Sequence, residues 1–524
     1  SKLLLNSITL DSASTSANSL GLDVDETSTV TSLTVGHITP VSIAAGKILS
    51  GAVTVTAGSI KLGETGTLAS AVTMSGGILE ADETLTLSGN LTQSGNITIA
   101  VAQNKTLGYS GAAVNLGAKT LTMSGKGTFN NTNALVLNDA SSKLLLSNTT
   151  TVGRVSTSLA SLGVDVNESS TVTNLIVGHT TPVSIADGKT LSGAVTITAG
   201  SIKLGETGTL ASTVSMSGGT LDADETLTLS GRLTQSGNIE IHVGQDKTLS
   251  YSGSAVNLGA YTLTMSGKGI FGNTNALRLN NASSKLLLSN TTTVGSVSTS
   301  ANNSGVDVDE SSTITSLAVG HTTPVSIAAG KTLSGAVTVT GGSIKLGETG
   351  TLASTVSMSG GTLDADNSLT LSGALTQSGT ITIDVAEDKT LSYSGAAVNL
   401  RTLIMSGKGT FSNTNALVLN SVYSKLRLSN TTTVGSVSTS ANISGLGIDV
   451  DESSTITSLA VGHVTPVSIA AGKTLSGAVT VTGGSIRLGE TGTLASTVSM
   501  SGGTLDANNN MTISGALSHS GNIT

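Results

Sequence analysis

The sequence predicts an all-β fold, a right-handed parallel β-solenoid (β-helix) built of repeats of about 142 residues. The phrase that begins at Leu49 recurs at Leu191, Leu333 and Leu475, and a fixed period, here a step of about 142 residues, indicates a repeat architecture. Short alternations of apolar and polar residues, separated by Gly, Asn and Asp turns, indicate strands. Because only 2% of residues are aromatic, the core must consist of many small aliphatic contacts.

The domain prediction is one continuous β-solenoid over residues 1–524, with repeats 1–141, 142–283, 284–423 and an incomplete 424–524. The third copy lacks two residues between Asn399 and Thr402, and the fourth gains two near Gly445. Short insertions and deletions that leave the flanking pattern intact are typical of surface turns. Both ends fall inside a repeat, so we expect a window cut from a longer array, or ends covered by neighbours.

Within one copy, the alternating runs predict strands, and no segment has a helical pattern. Examples are Val53–Thr56, Ser59–Leu62, Thr84–Leu87, Ile97–Ile99 and Leu121–Met123. Leucines recur at uneven intervals, at Leu49, Leu68, Leu85, Leu107 and Leu121. This spacing suits coils of one width with loops of different length, and predicts seven coils per copy, each of about 20 residues. At about 4.8 Å per coil, the chain would form a rod of about 26 coils and about 120 Å.

The alternative fold is a string of tandem β-sandwich domains, one per repeat. Against it, there is no charged or proline-rich linker between copies, and few aromatic residues are available for a sandwich core. The four prolines lie inside the repeats and not between them, at Pro40, Pro182, Pro324 and Pro466.

Composition argues against several classes of function. The net charge is −8 and no basic run occurs, so we expect no nucleic-acid partner. The absence of cysteine excludes disulfides and thiolate metal sites, although it does not fix the compartment. No uninterrupted apolar stretch is as long as a membrane-spanning helix requires, so we expect no membrane span in this window.

One histidine recurs in each copy, in the phrase Val-Gly-His-x-Thr-Pro, at His37, His179, His321 and His463. A single histidine per copy does not supply a metal site or a catalytic pair, so we interpret these as turn residues that precede a proline. His242 and His519 do not recur and carry no signal.

Two acidic phrases recur in each copy. The first, Asp23-Val24-Asp25-Glu26, is interpreted as a solvated face, with Ca²⁺ binding by the Asp-x-Asp carboxylates as the open alternative. The second begins at Glu80, Asp222, Asp364 and Asp506. Its charge varies while its turn-forming character persists, so we interpret its residues as turn formers rather than acid–base catalysts.

Three further patterns suggest chemistry but favour structural roles. Gly330-Lys331-Thr332 resembles the end of a P-loop, but Val325 stands where the first glycine is needed. Thr-x-Thr pairs such as Thr54 and Thr56 are unevenly spaced for an ice-binding lattice. The aromatic residues Tyr109, Tyr251, Tyr393, Phe129, Phe271 and Phe411 recur. We expect them to pack under a loop or at a corner, with stacking on sugar rings as the alternative.

The segments Leu85–Ile99, Lys119–Phe129 and Asn133–Asn138 are rich in Gly, Ser, Thr and Asn and almost free of aromatic residues. This texture resembles secreted bacterial β-helical repeat proteins, in particular autotransporter passenger domains and filamentous-haemagglutinin-type adhesins. The resemblance covers the whole chain but includes no signature motif. It implies an extracellular or cell-surface location and transfers no functional residue.

We therefore expect an extracellular structural protein that forms a stiff rod, sheath or filament, or the stalk of a surface adhesin. The expected partners are copies of itself or further repeats of the same chain, with cell-surface glycans as the alternative. No catalytic, cofactor-binding or metal-binding residue is predicted, no cofactor is expected, and ligand-binding residues are unknown. A glycan- or receptor-binding module would need exposed patches, for which the three recurring tyrosines are the best candidates. A carbohydrate-active enzyme would need one charged cluster, but the non-recurring Arg154, Arg232, Arg278 and Arg401 are scattered.

Overall fold

The computed structural model describes residues 1–441 and 446–524, and every regular element in these ranges is a β-strand. The predictions of an all-β chain and of no helix are therefore confirmed for the described residues. The first sequence copy holds 18 strands, β1 to β18, which are Lys2–Leu5, Thr9–Thr15, Gly21–Val24, Ser28–Val35, Thr39–Ile43, Ile48–Val55, Ser59–Gly63, Thr67–Leu68, Ala71–Met74, Ile78–Ala81, Leu85–Leu87, Leu91–Gln93, Ile97–Val101, Thr106–Tyr109, Val114–Asn115, Thr120–Gly125, Thr128–Asn131 and Leu135–Leu137.

The other copies repeat this order of strands. The second holds β19 to β36: Lys143–Leu146, Thr151–Thr157, Gly163–Val166, Ser170–Val177, Thr181–Ile185, Thr190–Ile197, Ser201–Gly205, Thr209–Leu210, Thr213–Met216, Thr220–Ala223, Leu227–Leu229, Leu233–Gln235, Ile239–Val243, Thr248–Tyr251, Val256–Asn257, Thr262–Gly267, Ile270–Asn273 and Leu277–Leu279. The third holds β37 to β54: Lys285–Leu288, Thr293–Thr299, Gly305–Val308, Ser312–Val319, Thr323–Ile327, Thr332–Val339, Ser343–Gly347, Thr351–Leu352, Thr355–Met358, Thr362–Ala365, Leu369–Leu371, Leu375–Gln377, Thr380–Val385, Thr390–Tyr393, Val398–Asn399, Thr402–Gly407, Thr410–Asn413 and Leu417–Leu419. The fourth holds β55 to β66: Lys425–Leu428, Thr433–Thr439, Gly447–Val450, Ser454–Val461, Thr465–Ile469, Thr474–Val481, Ser485–Gly489, Thr493–Leu494, Thr497–Met500, Thr504–Ala507, Thr512–Ile513 and Leu517–His519.

The contacts of the described residues divide the chain into two units. One is Ser1–Val256 with Lys268–Asn275, and the other is Asn257–Gly267 with Ala276–Thr524. Within each unit the chain winds as a right-handed parallel β-solenoid, and the described residues make about 26 turns of about 20 residues each. The predicted solenoid is thus confirmed, and the alternative of tandem antiparallel sandwiches is wrong. The prediction that residues 1–524 form one continuous solenoid stays a prediction.

Each turn, called a coil here, contributes one strand to a first parallel sheet and one long or two short strands to a second. In the first unit, Leu22 lies opposite Val41, Val41 opposite Leu62, and Leu62 opposite Ala81. In the second, Val306, Val325 and Leu346 are aligned in the same way. All of these side chains are buried. Because strand side chains alternate between faces, the inward positions form aliphatic ladders and the outward ones are polar.

The repeating structural unit is the coil, and the expected building block, the whole sequence copy, is not supported. Strand β16 of the first copy pairs with β19 of the second in the same parallel fashion that joins coils within a copy. The contact boundary between the two units also falls inside the second copy. A solenoid coil contacts only its neighbours, so a sequence period of seven coils need not create a structural boundary.

The two-residue deletion of the third copy lies in a turn, as predicted. It falls between β51 and β52, and Thr402 still lies opposite Lys425. The two-residue gain near Gly445 lies outside the described residues.

Candidate functional site

The recurring histidines occupy exposed turns, in agreement with the turn interpretation. His37 lies two residues before the start of β5, and its carbonyl oxygen accepts a hydrogen bond of 3.0 Å from Thr39 Oγ1. The same bond recurs in the other copies, at 2.9 Å for His179, 3.0 Å for His321 and 2.9 Å for His463. The threonine therefore fixes the turn through the histidine backbone, and the ring extends into solvent.

The first acidic phrase is held by lysines of the two adjacent coils. Lys2 of the preceding coil pairs with Asp23, and Lys47 of the following coil contacts Glu26 with 2.5 Å between Nζ and Oε2. The arrangement recurs in every copy, through the lysine pairs Lys143 and Lys189, Lys285 and Lys331, and Lys425 and Lys473. The carboxylates of Asp23 and Glu26 are partly exposed, as the solvated-face interpretation expects. The ammonium group of Lys2 already compensates the charge of Asp23, one of the two Asp-x-Asp carboxylates that the Ca²⁺ alternative requires.

The second acidic phrase is also paired across coils. Lys61 Nζ lies 3.1 Å from Glu80 Oε2, and Lys105 Nζ lies 2.5 Å from Glu83 Oε2. Equivalent contacts join Lys345 to Asp364 at 3.3 Å and Arg487 to Asp506 at 3.6 Å. Burial and the charge of Asp366 raise the pKa of Asp364, while the hydrogen bond to Asp364 raises the pKa of Lys345. The pairing with Lys345 opposes the rise in the pKa of Asp364, but burial outweighs it.

Sequence reasoning missed these ion pairs because both phrases were considered without their spatial neighbours. In the described part of the chain, sixteen lysine or arginine side chains pair with a carboxylate, and each pair joins residues 19 to 24 positions apart. That separation is one coil. Opposite charges recurring at the coil period were the signal in the sequence that could have revealed them.

The recurring aromatic residues are core residues. Tyr109 is 1% exposed and Phe129 is fully buried, with 5.8 Å between their stacked ring centroids. The Tyr109 hydroxyl donates to the Ala112 carbonyl at 2.5 Å and accepts from the Leu91 amide at 3.1 Å. Burial raises the pKa of this phenol. The same arrangement recurs at Tyr251 and Tyr393, so the packing interpretation is confirmed and the proposed sugar-stacking role of these tyrosines is wrong.

The remaining motifs have structural explanations. Lys331, in the P-loop-like phrase, pairs with Glu310 at 2.7 Å, and the chain continues into strand β42 rather than a helix. Thr34, Thr54 and Thr73 are aligned across coils. In the second copy, however, Ile176 interrupts the corresponding row. The row is therefore no regular hydroxyl lattice of the kind that ice binding requires.

Shallow grooves lie along the outer faces of the coils. One is lined by the hydroxyl groups of Thr338, Ser357, Ser359 and Thr376, and its equivalent in the fourth copy is lined by Thr480, Ser499, Ser501 and Ser518. The non-recurring arginines are exposed on separate coils. His242, which carried no signal in the sequence, lies beside Asp222 and Asp224.

A comparison with protein-family models finds no match, and neither does a comparison with curated protein sequences or with solved structures. Among the described residues, no helix has the length and apolar character to cross a membrane. A function for this chain must therefore be inferred from the geometry of its coils.

Proposed function

We propose that this chain is an extracellular structural repeat protein that forms a stiff rod, sheath or filament, or the stalk of a surface adhesin. The observation that carries the proposal is the pairing of charges between coils. Each ion pair reinforces the backbone hydrogen bonds that already join neighbouring coils, and the pairs recur in every copy. An exposed pair contributes only about 0–1 kcal/mol, but a long series of them opposes bending and shear along the whole stack.

The proposed role is mechanical and involves no catalysis. Interior positions are predominantly apolar, and most lysine side chains are paired with a carboxylate of a neighbouring coil. In this proposal, the array is lengthened by whole sequence copies. Each added copy makes the solenoid longer and introduces no new kind of site. The proposal includes that the chain is a secreted bacterial adhesin, as its Gly-, Ser-, Thr- and Asn-rich composition suggests.

The proposed partners are copies of the chain or further repeats of it. Every coil offers backbone amide and carbonyl groups to both of its neighbours, so added coils meet the same complementary edge. A glycan partner would have to use the hydroxyl-lined grooves, because the recurring tyrosines are buried.

Electron microscopy of the purified chain at low concentration tests the proposal, together with microscopy of the native material. We expect unbranched rods of about 120 Å from the chain, given about 4.8 Å per coil, and fibres or surface stalks in the native material. Protease treatment of intact cells should remove the protein if it is extracellular. Compact particles, beads on a string, or full protection from protease in intact cells would contradict the proposal.

A further inference from the structure

Two neighbouring coils of the first unit bring three metal-ligating side chains together. Strand β28 (Thr220–Ala223) pairs in parallel with β31 (Ile239–Val243), and Asp222 lies directly opposite His242. Asp224 follows β28 at the corner of the coil. One ligand atom from each of the three residues lies within 4.8 Å of the others.

The carboxylate of Asp222 is poorly compensated where it stands. Its Oδ1 is buried and has no hydrogen-bond partner, and the side chain as a whole is only 13% exposed. Its Oδ2 lies 3.6 Å from Lys203 Nζ, a longer contact than the 3.1 Å of the equivalent pair between Lys61 and Glu80. A buried carboxylate oxygen without a donor is a position that a cation would stabilise.

We propose that Asp222, Asp224 and His242 bind a divalent transition-metal ion of the zinc type. Imidazole and carboxylate together are a ligand set suited to such ions, whereas Ca²⁺ and Mg²⁺ take oxygen ligands. Zn²⁺ with three protein ligands keeps a fourth position for water. A groove of about 250 Å³ lined by Pro182, Ser184, Lys203 and Asp224 opens beside the cluster and gives the ion a route from solvent.

The other copies provide an internal comparison, because the imidazole occurs only in the second. The first copy has Ala100 where His242 stands, and the third has Asp384. In the third copy, Ser406 Oγ donates a hydrogen bond of 2.6 Å to Asp384 Oδ2. The fourth copy has Asn508 at the position of Asp224. The proposal therefore predicts one ion per chain and not one per copy.

The ion would join two neighbouring coils, because Asp222 and Asp224 belong to one coil and His242 to the next. Binding to the folded chain alone raises its stability by mass action. This inference does not depend on the proposed structural function, since a metal-linked coil is compatible with any role of the solenoid.

The test uses the full chain without an affinity tag, freed of metal and titrated with Zn²⁺ by calorimetry and with Co²⁺ by visible absorption. We expect one equivalent of each ion to bind, with the intense absorption of low-coordinate Co²⁺, and a higher melting temperature with Zn²⁺. His242→Ala and Asp224→Asn introduce residues that other copies already hold at these positions, so both variants should fold. Each should weaken Zn²⁺ binding at least about 100-fold, because a direct ligand matters no less than an outer-sphere partner.

The matched control is His179→Ala, which removes an exposed turn histidine of the same copy and should leave the affinity and the stoichiometry unchanged. The proposal is overturned if the wild-type chain binds neither ion, or if His242→Ala retains the same single site. Binding of four equivalents, or loss of binding in His179→Ala, would likewise place the ion elsewhere.

Discussion

Replacing Gly193 by alanine should open the second sheet locally. Strand β24 (Thr190–Ile197) pairs with β22 (Ser170–Val177), and the register shifts between Val172 and Asn174 opposite this glycine. Gly193 has a φ of +116°, and an added Cβ would lie 1.9 Å from the carbonyl oxygen of Val172. A backbone carbonyl cannot rotate away as a side chain can, so the two strands must separate.

The expected penalty is about 2–6 kcal/mol in local opening free energy, of which about 1–3 kcal/mol is backbone strain and about 1–3 kcal/mol is the net loss of two backbone hydrogen bonds. Gly188→Ala is the control. Gly188 also has a positive φ, +67°, but no heavy atom lies within 4 Å of the added Cβ. Only the left-handed backbone penalty then applies, which is about 1–2 kcal/mol.

Hydrogen exchange measured by mass spectrometry distinguishes these two variants. Amides of β22 and β24 should exchange at least about 30-fold faster in Gly193→Ala, because about 1.4 kcal/mol of opening free energy corresponds to a factor of ten. Ile197 marks the peptide of the second copy, since the other copies have valine there. Equal protection in the two variants, or unchanged protection in Gly193→Ala, would refute the reasoning from the bulge.

Three further results are expected. Tyr251→Phe removes a hydroxyl that donates to one carbonyl and accepts from one amide in the core, and should lower the unfolding free energy by about 1–3 kcal/mol in denaturant titrations. Tyr261→Phe, at a position 36% exposed, should have no effect. Since burial raises the pKa of Tyr251 above the usual 10.0, the folded chain holds the phenolic proton more tightly than the unfolded one. Stability should therefore fall as the pH rises above 10.0, and less steeply in Tyr251→Phe; equal slopes in thermal melts would contradict this. Lys189→Gln breaks a contact of 2.8 Å to a half-exposed Glu168 and should lower stability by about 0.2–1 kcal/mol, a difference that about 1 M salt should abolish.

The fold was largely predictable from the sequence, because the strands and turns of each coil follow from the local order of apolar, polar and turn-forming residues. Alternation predicted strands such as Ser59–Gly63, and the spacing of leucines predicted a coil of about 20 residues. Contacts between coils were harder to predict. Pairing Lys47 with Glu26 requires knowing that residues 21 positions apart are neighbours in space. The bulge at Gly193 depends on the carbonyl of the adjacent coil, and no local pattern specifies that carbonyl.

The candidate sites were predictable only where burial decided the outcome. Tyr109 lies in apolar surroundings, and its packing role followed from the low aromatic content. The sequence gives no signal at His242, because this histidine does not recur in the other copies. In a repeat protein, equivalent positions of the copies share the same backbone surroundings. A side chain found in only one copy can therefore indicate a site that the other copies lack.

The identical registers where one sequence copy meets the next have a consequence for the gene. Thr120 lies opposite Lys143, Thr262 opposite Lys285, and Thr402 opposite Lys425. Unequal crossing-over between copies would therefore join a coil to a neighbour of the kind it already has, whichever copies recombine. Alleles that differ by whole copies should fold equally well. The number of copies can therefore change under selection without altering the contacts between neighbouring coils.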